Sequence, residues 1–257
     1  AVLSDLHAQM EREYRAYASA RAEACSALQM FTFAIVEIPK KIASKYRSKY
    51  QAAMYKAIEK EWDGSISEKY VKQFMKDNEK RMQKFIAEEA QKKIDAARSV
   101  LQGKYEHLND KVQSVGQLGF GSATGMAFSG RGFQYKGSDL KENLWYGVDL
   151  GLNGLALGGA LVALFSTGVA AVITIPTIIA FVAAKYFMGK DERTAKAKAA
   201  AKDLFAEQER RLTDKLTEKL NELDLVGKVR TKTYDKFSKM VDQHARATQE
   251  IGVVVKD

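Results

Sequence analysis

DERTAKAKAAAKDLFAEQERRLTDKLTEKLNELDLV, residues 191–226, is the stretch from which the rest of the chain is read. Phe205, Leu212, Leu216, Leu220 and Leu223 recur at spacings of three, four and seven, with charges filling the positions between them. That rhythm puts one apolar seam on an otherwise solvated helix. Asp191, Glu192 and Arg193 open it, and Gly227 stands after it as a hinge or a C-cap. Beyond it, Val229, Phe237, Met240 and Val241 mark a final, less regular helix.

The same chemistry governs the rest of the sequence. The 257 residues hold two prolines, Pro39 and Pro176, and outside one apolar run they are dominated by Ala, Lys, Glu, Leu and Gln. Straight-chain residues lose little side-chain freedom in a helix, so long helices are favoured over sheets. Leu3, Leu6, Met10, Tyr14, Tyr17, Ala24, Leu28, Phe31 and Ile35 form a stripe that predicts a first helix to about Pro39. Inside it, 24–36 is uncharged, too short for a membrane span and suited to a core or an interface. Asp63-Gly64 marks a turn, and Ser65 with Glu68 matches a capping box opening a second helix to about Leu101, with a thin apolar side. Gly103 is expected to interrupt it, a short helical piece following to about Val115. Seven glycines between 116 and 137 predict a flexible or irregular segment.

Upstream of the 191–226 helix, residues 150–184 carry no formal charge over 35 positions, in a chain that is 28% charged. As one helix the run would be roughly 52 Å long, far more than the ~30 Å of a bilayer's hydrocarbon core. Folding it in two at Ser166-Thr167-Gly168 gives arms of about 24 Å. Leu150, Leu155, Leu161, Leu164 and Phe165 on the first arm would contact lipid, as would Val172, Ile175, Ile178, Ile179 and Phe181 on the second. Trp145, Tyr146, Lys185 and Tyr186 stand where an interfacial belt belongs. Gly147, Gly151, Gly154 and Gly158 give two G-x-x-x-G spacings, which let helix backbones approach closely in lipid. Pro176 is better tolerated in a membrane helix than in a soluble one. The rival reading is a hairpin buried inside a soluble bundle, which Asp149 and Asn153 also suit. The two are compatible if the hairpin is sheltered in solution and released at a membrane.

A net charge of +9 favours polyanionic partners. Lys40, Lys41, Lys45, Arg47, Lys49 and Lys56 fall in a segment without an acid and with Tyr46, Tyr50 and Tyr55 interleaved. Such a segment suits an anionic headgroup layer or, through stacking tyrosines, a nucleic acid; otherwise it is a solvated helix face. The apolar run beside it favours lipid.

Little else suggests chemistry. His7, His107 and His244 lie far apart on charged stretches and are read as surface residues rather than metal ligands. Cys25, the single cysteine, excludes an internal disulfide and reads as a buried, inert thiol. GFGSATG (119–125) departs from both phosphate-loop patterns, and no nucleophile elbow occurs. Neither enzymatic activity nor a cofactor is expected. The N-terminus lacks the apolar region of a secretory signal, so synthesis in the cytoplasm is expected, with non-classical export if the protein acts on another cell. An Ala1 left by removal of an initiator Met would make the chain complete.

The expected architecture is all-α: an elongated bundle of long amphipathic helices with a central apolar helical hairpin. The expected parts are N-terminal amphipathic helices at 1–115, the Gly-rich segment at 116–137, the apolar hairpin at 138–190 and C-terminal amphipathic helices at 191–257. In layout, the hairpin and its helical flanks resemble α-helical pore-forming proteins such as colicin pore domains and ClyA-type toxins. They also resemble type III secretion translocators and the membrane-binding tip of bacterial dynamin-like proteins. The chain departs from the colicin pattern by continuing from 185 to 257 after the hairpin, and it carries no GTPase motif. The resemblance implies a lipid bilayer as partner, expected to be anionic, and self-association or a second helical subunit. The alternatives are a helical scaffold that buries the hairpin against partner chains, and a basic nucleic-acid-associated protein.

Overall fold

The computed structural model describes residues 2–60, 68–117, 127–130, 133–136 and 190–256, and they are almost entirely α-helical. The helices are α1 (Val2–Lys60), α2 (Glu68–Gln117), α3 (Lys190–Leu223), α4 (Leu225–Lys232) and α5 (Tyr234–Lys256). Two four-residue strands, β1 (Ala127–Gly130) and β2 (Phe133–Lys136), form an antiparallel pair in which Phe128 stands opposite Tyr135. The whole 150–184 run lies outside the described residues. So do its glycines, its belt residues Trp145, Tyr146, Lys185 and Tyr186, and the Ser65 cap. Among the described residues, no helix is long and apolar enough to cross a membrane.

The chain divides into two compact units, and α1 and α2 each supply residues to both. The first takes α1 up to Ile35, α2 from Ala96, the β1–β2 pair, α4 and α5. Its core joins Tyr17, Ala24, Leu28 and Phe31 of α1 to Leu101, Tyr105 and Leu108 of α2 and to Val229, Phe237 and Val241. The second takes α1 from Val36, α2 up to Asp95, and α3. There Ile42, Tyr46, Tyr50 and Met54 of α1 are buried, together with Met82, Ile86 and Ile94 of α2. Phe205, Leu212, Leu216 and Leu220 supply the α3 share, the seam that spacing alone had marked. Of the expected N-terminal stripe, Met10, Tyr17, Ala24, Leu28, Phe31 and Ile35 are buried, while Leu3 is exposed.

Several sequence expectations need correction. α1 does not end at Pro39 but runs through it to Lys60. A proline in a helix interior costs about 3 kcal/mol; here Pro39 is buried among Ile35, Ile38 and Ile42, and packing on that face holds the helix together. Gly103 does not interrupt α2 either. The penalty for an interior glycine is about 1 kcal/mol, small beside the burial of Leu101, Tyr105 and Leu108 around it. Within the Gly-rich 116–137, Gly116 and Gln117 complete α2 and eight residues pair as β1 and β2. Glycine excludes a stable helix there but not a tight hairpin.

The break after α3 is at Asp224, not Gly227. Asp224 adopts the left-handed conformation, φ 45° and ψ 47°, and its carboxylate accepts the backbone N–H of Gly227. It is the one non-glycine residue with positive φ among those described. Asp tolerates that region because its short side chain bonds locally to the backbone. Cys25 is half-buried rather than buried, with its thiol beside the Tyr234 hydroxyl. His107 is exposed and His7 half-buried, but His244 is fully buried on α5, contrary to the surface reading. The α5 residues Val241, Ala247 and Ile251, spaced around His244, turn that face of the helix inward.

Candidate functional site

Of the residues singled out for function, those described in the structure belong to the basic segment of α1 in the second unit. One helix carries all six cations, so periodicity distributes them around its axis rather than along a single edge. Lys40 and Lys41 adjoin on the exposed side, and Lys56 is exposed about four turns farther on. These three make no ion pair among the described residues.

Lys45, Arg47 and Lys49 are engaged. Lys45 Nζ donates to Glu89 Oε1 of α2 at 2.5 Å, and this bond holds the Glu89 carboxyl below its usual range. Arg47 Nη1 donates to Glu209 Oε2 of α3 at 2.8 Å, and its Nε donates to Gln51 Oε1 at 3.1 Å. The Lys49 ammonium sits 4.3 Å from the centre of the Phe85 ring, a cation–π contact. The segment has no acid of its own, yet α2 and α3 bring acids to it. Sequence distance hid this, because the partners lie 44 and 162 residues away.

The interleaved tyrosines point inward. Tyr46 and Tyr50 are buried, their ring centroids 5.1 Å apart, and Tyr50 meets Phe85 edge-on. Burial pushes both hydroxyls above the ordinary tyrosine range. Only Tyr55 is half-buried, and its hydroxyl accepts from Gln51 Nε2 at 3.0 Å. Tyr46 and Tyr50 are therefore not available to stack on bases. What remains outward is a pair of adjacent lysines, with Lys56 apart from them.

The uncharged stretch 24–36, a second candidate membrane contact, is two-sided. Ala24, Ala27, Leu28, Phe31 and Ile35 are buried, whereas Met30 and Phe33 are exposed in the first unit. An open cavity of about 800 Å³ lies along α2 in the second unit, beside Lys80, Gln83, Lys84, Ala87, Glu88, Gln91, Lys92 and Asp95. These residues form one face of one helix and place no nucleophile beside a base. No cluster of metal-ligating residues occurs among the described residues. No protein-family model, no curated protein and no solved structure matches the chain.

Proposed function

We propose that this chain is a membrane-inserting α-helical protein that permeabilises a bilayer through its 150–184 segment, as a pore-forming toxin or a translocator does. The observation that carries the reading is the uncharged run of 35 residues in a chain that is 28% charged overall. Its length suits two short spans, and its glycine spacing and flanking aromatics are those of membrane helices. On this reading the chain is made in the cytoplasm. It folds as an elongated bundle of amphipathic helices around a central apolar hairpin and acts at a membrane.

Lys40, Lys41 and Lys56 supply the attraction to anionic lipid, each basic residue near the surface contributing roughly 1 kcal/mol. Lys45, Arg47 and Lys49 contribute less, because their charges are already engaged within the unit. Self-association or a second helical subunit would complete the perforation.

Liposome flotation with dye release tests the reading, with neutral against anionic vesicles and the unmodified chain against an Ala163→Glu/Val172→Lys variant. Flotation and leakage by the unmodified chain, lost in a variant that keeps its helical circular dichroism, is the expected result. Insertion by the charged variant as well would overturn it. Absence of binding under all conditions, with a stable oligomer in solution, would favour the scaffold reading, in which the run is buried against partner chains.

A further inference from the structure

Among the large apolar side chains that the first unit leaves exposed, three stand where α1 runs beside α2. Met30 is 55% exposed, Phe33 67% and Val100 56%. Single exposed apolar residues are ordinary on a protein surface, whereas a contiguous group marks a contact site. That these three are contiguous follows from two contacts between the helices. Lys111 Nζ of α2 donates to Glu23 Oε1 of α1 at 2.5 Å. Tyr105, six residues earlier on α2, donates its hydroxyl to the carbonyl of Ala24, one residue later on α1, at 3.4 Å. The two helices therefore run antiparallel, and the unit accordingly ends at Ile35 on α1 and begins at Ala96 on α2.

Seven residues make nearly two helical turns, so residues that far apart keep the same side of a helix. Met30 lies seven after Glu23 and Lys104 seven before Lys111, so both stay on the sides that the ion pair joins. Phe33 is one turn beyond Met30, and Val100 one turn beyond Lys104. The four residues thus border one strip of surface across α1 and α2. Its charge is one-sided. From 24 to 36 α1 carries no charge, and Glu23 is already held by Lys111, whose hydrogen bond keeps that carboxyl below its usual range, with His107 adding to the effect. Lys104 and His107 are exposed, and Lys104 makes no ion pair among the described residues. The nearby acids Glu106 and Asp110 are turned from that side of α2 by roughly a quarter turn or more.

We propose that this strip is a second membrane contact, which rests on the proposed membrane function and lies outside the 150–184 run. It lies in the plane of an anionic bilayer surface, with Met30, Phe33 and Val100 entering the boundary between headgroups and acyl chains. Lys104 meets the lipid phosphates. In-plane binding grows with the apolar area buried plus the attraction of basic residues to anionic lipid. The basic rim selects an anionic partner, and a bilayer offers both that charge and an apolar layer beneath it. A second copy of the chain would instead bring another net charge of +9 against the strip.

The test uses the full chain with a tryptophan at position 33 (Phe33→Trp) and the native ones removed (Trp62→Phe/Trp145→Phe). Vesicles of phosphatidylcholine, with and without phosphatidylglycerol, carry bromine on their acyl chains, which quenches a tryptophan that enters them. Quenching on the anionic vesicles is expected, and it should persist when the 150–184 run is blocked by Ala163→Glu/Val172→Lys. Met30→Ser/Val100→Ser should lower vesicle affinity about tenfold, and Lys104→Gln about fivefold. No quenching on vesicles that the chain binds would overturn this contact and leave the membrane function standing. Quenching by a chain that causes no leakage would support the contact and overturn the permeabilising function. Absence of binding to any vesicle would overturn both. An oligomer in solution that Met30→Ser/Val100→Ser dissociates, with vesicle affinity unchanged, would assign the strip to a second copy and overturn the lipid contact.

Discussion

Tyr46 of α1 donates its hydroxyl to Gln208 Oε1 of α3 at 2.9 Å, and both side chains lie in the core of the second unit, 1% exposed. Gln208 breaks the apolar seam of α3 between Phe205 and Leu212, and Tyr46 sits in the middle of the basic segment of α1. Each residue looks misplaced in its own helix. Together they satisfy a polar contact inside an apolar interface, which fixes how those helices register on each other.

Tyr46→Phe leaves the Gln208 amide without its tyrosine donor, while its Nε2 has no hydrogen-bond partner among the described residues to begin with. The expected loss is about 1–3 kcal/mol. Tyr46→Phe/Gln208→Leu should cost less than the sum of the two single changes, because no orphaned group remains. Urea denaturation of the four proteins gives the coupling, and strict additivity would show that the bond contributes nothing.

Two helical glycines should respond to alanine with opposite signs. A Cβ at the exposed Gly103 meets nothing within 4 Å, so Gly103→Ala should stabilise by about 0.5–1 kcal/mol. A Cβ at the buried Gly252 would lie 2.6 Å from His7 Nε2, so Gly252→Ala should destabilise. Adding His7→Ala removes the obstacle and should restore the gain. Denaturation midpoints in the two backgrounds check the reversal.

At Asp224 the side chain and the backbone make separable contributions. Asp224→Ala loses the contact to the Gly227 N–H while keeping the left-handed backbone, and should cost about 1–2 kcal/mol. Asp224→Asn keeps both features and should be close to neutral. Asp224→Gly loses the contact but relaxes the backbone, and should fall between them. An alanine variant as stable as the parent protein would mean that the α3–α4 joint is not held by this side chain.

The Glu207 carboxyl is held down to about 2 by hydrogen bonds from Arg210 and then Arg211. A depressed carboxylate favours the folded state above the ordinary carboxylate range, and that contribution is lost as pH falls through about 2. The pair is exposed to solvent, so its effect on overall stability should be slight and salt-sensitive. NMR titration of the side-chain carbonyl should show the low midpoint, moving upward more in Arg210→Gln than in Arg211→Gln. An ordinary midpoint in the intact protein would show that the pairs do not persist in solution.

The helical class was legible in the sequence because helix propensity and apolar spacing act over a few residues. The α3 seam of Phe205, Leu212, Leu216 and Leu220 needed no partner to be recognised. Local rules failed where packing outweighed propensity. Pro39 and Gly103 both read as breaks, and both lie inside continuous helices flanked by buried neighbours. The basic segment was legible as a list of charges but not as a surface. Lys45 and Arg47 look as free as Lys40 and Lys41 until Glu89 and Glu209 are placed opposite them.

By itself, then, the sequence determined the helical class, the apolar seams and the uncharged 150–184 run, all properties of short windows of chain. The tertiary structure decided which charges are neutralised, that Tyr46 and Tyr50 face a core, and that His244 is sealed against α1. The physical reason is range. A 3.6-residue period tells which residues share a helix face, but what covers that face is set by segments up to 234 residues away along the chain.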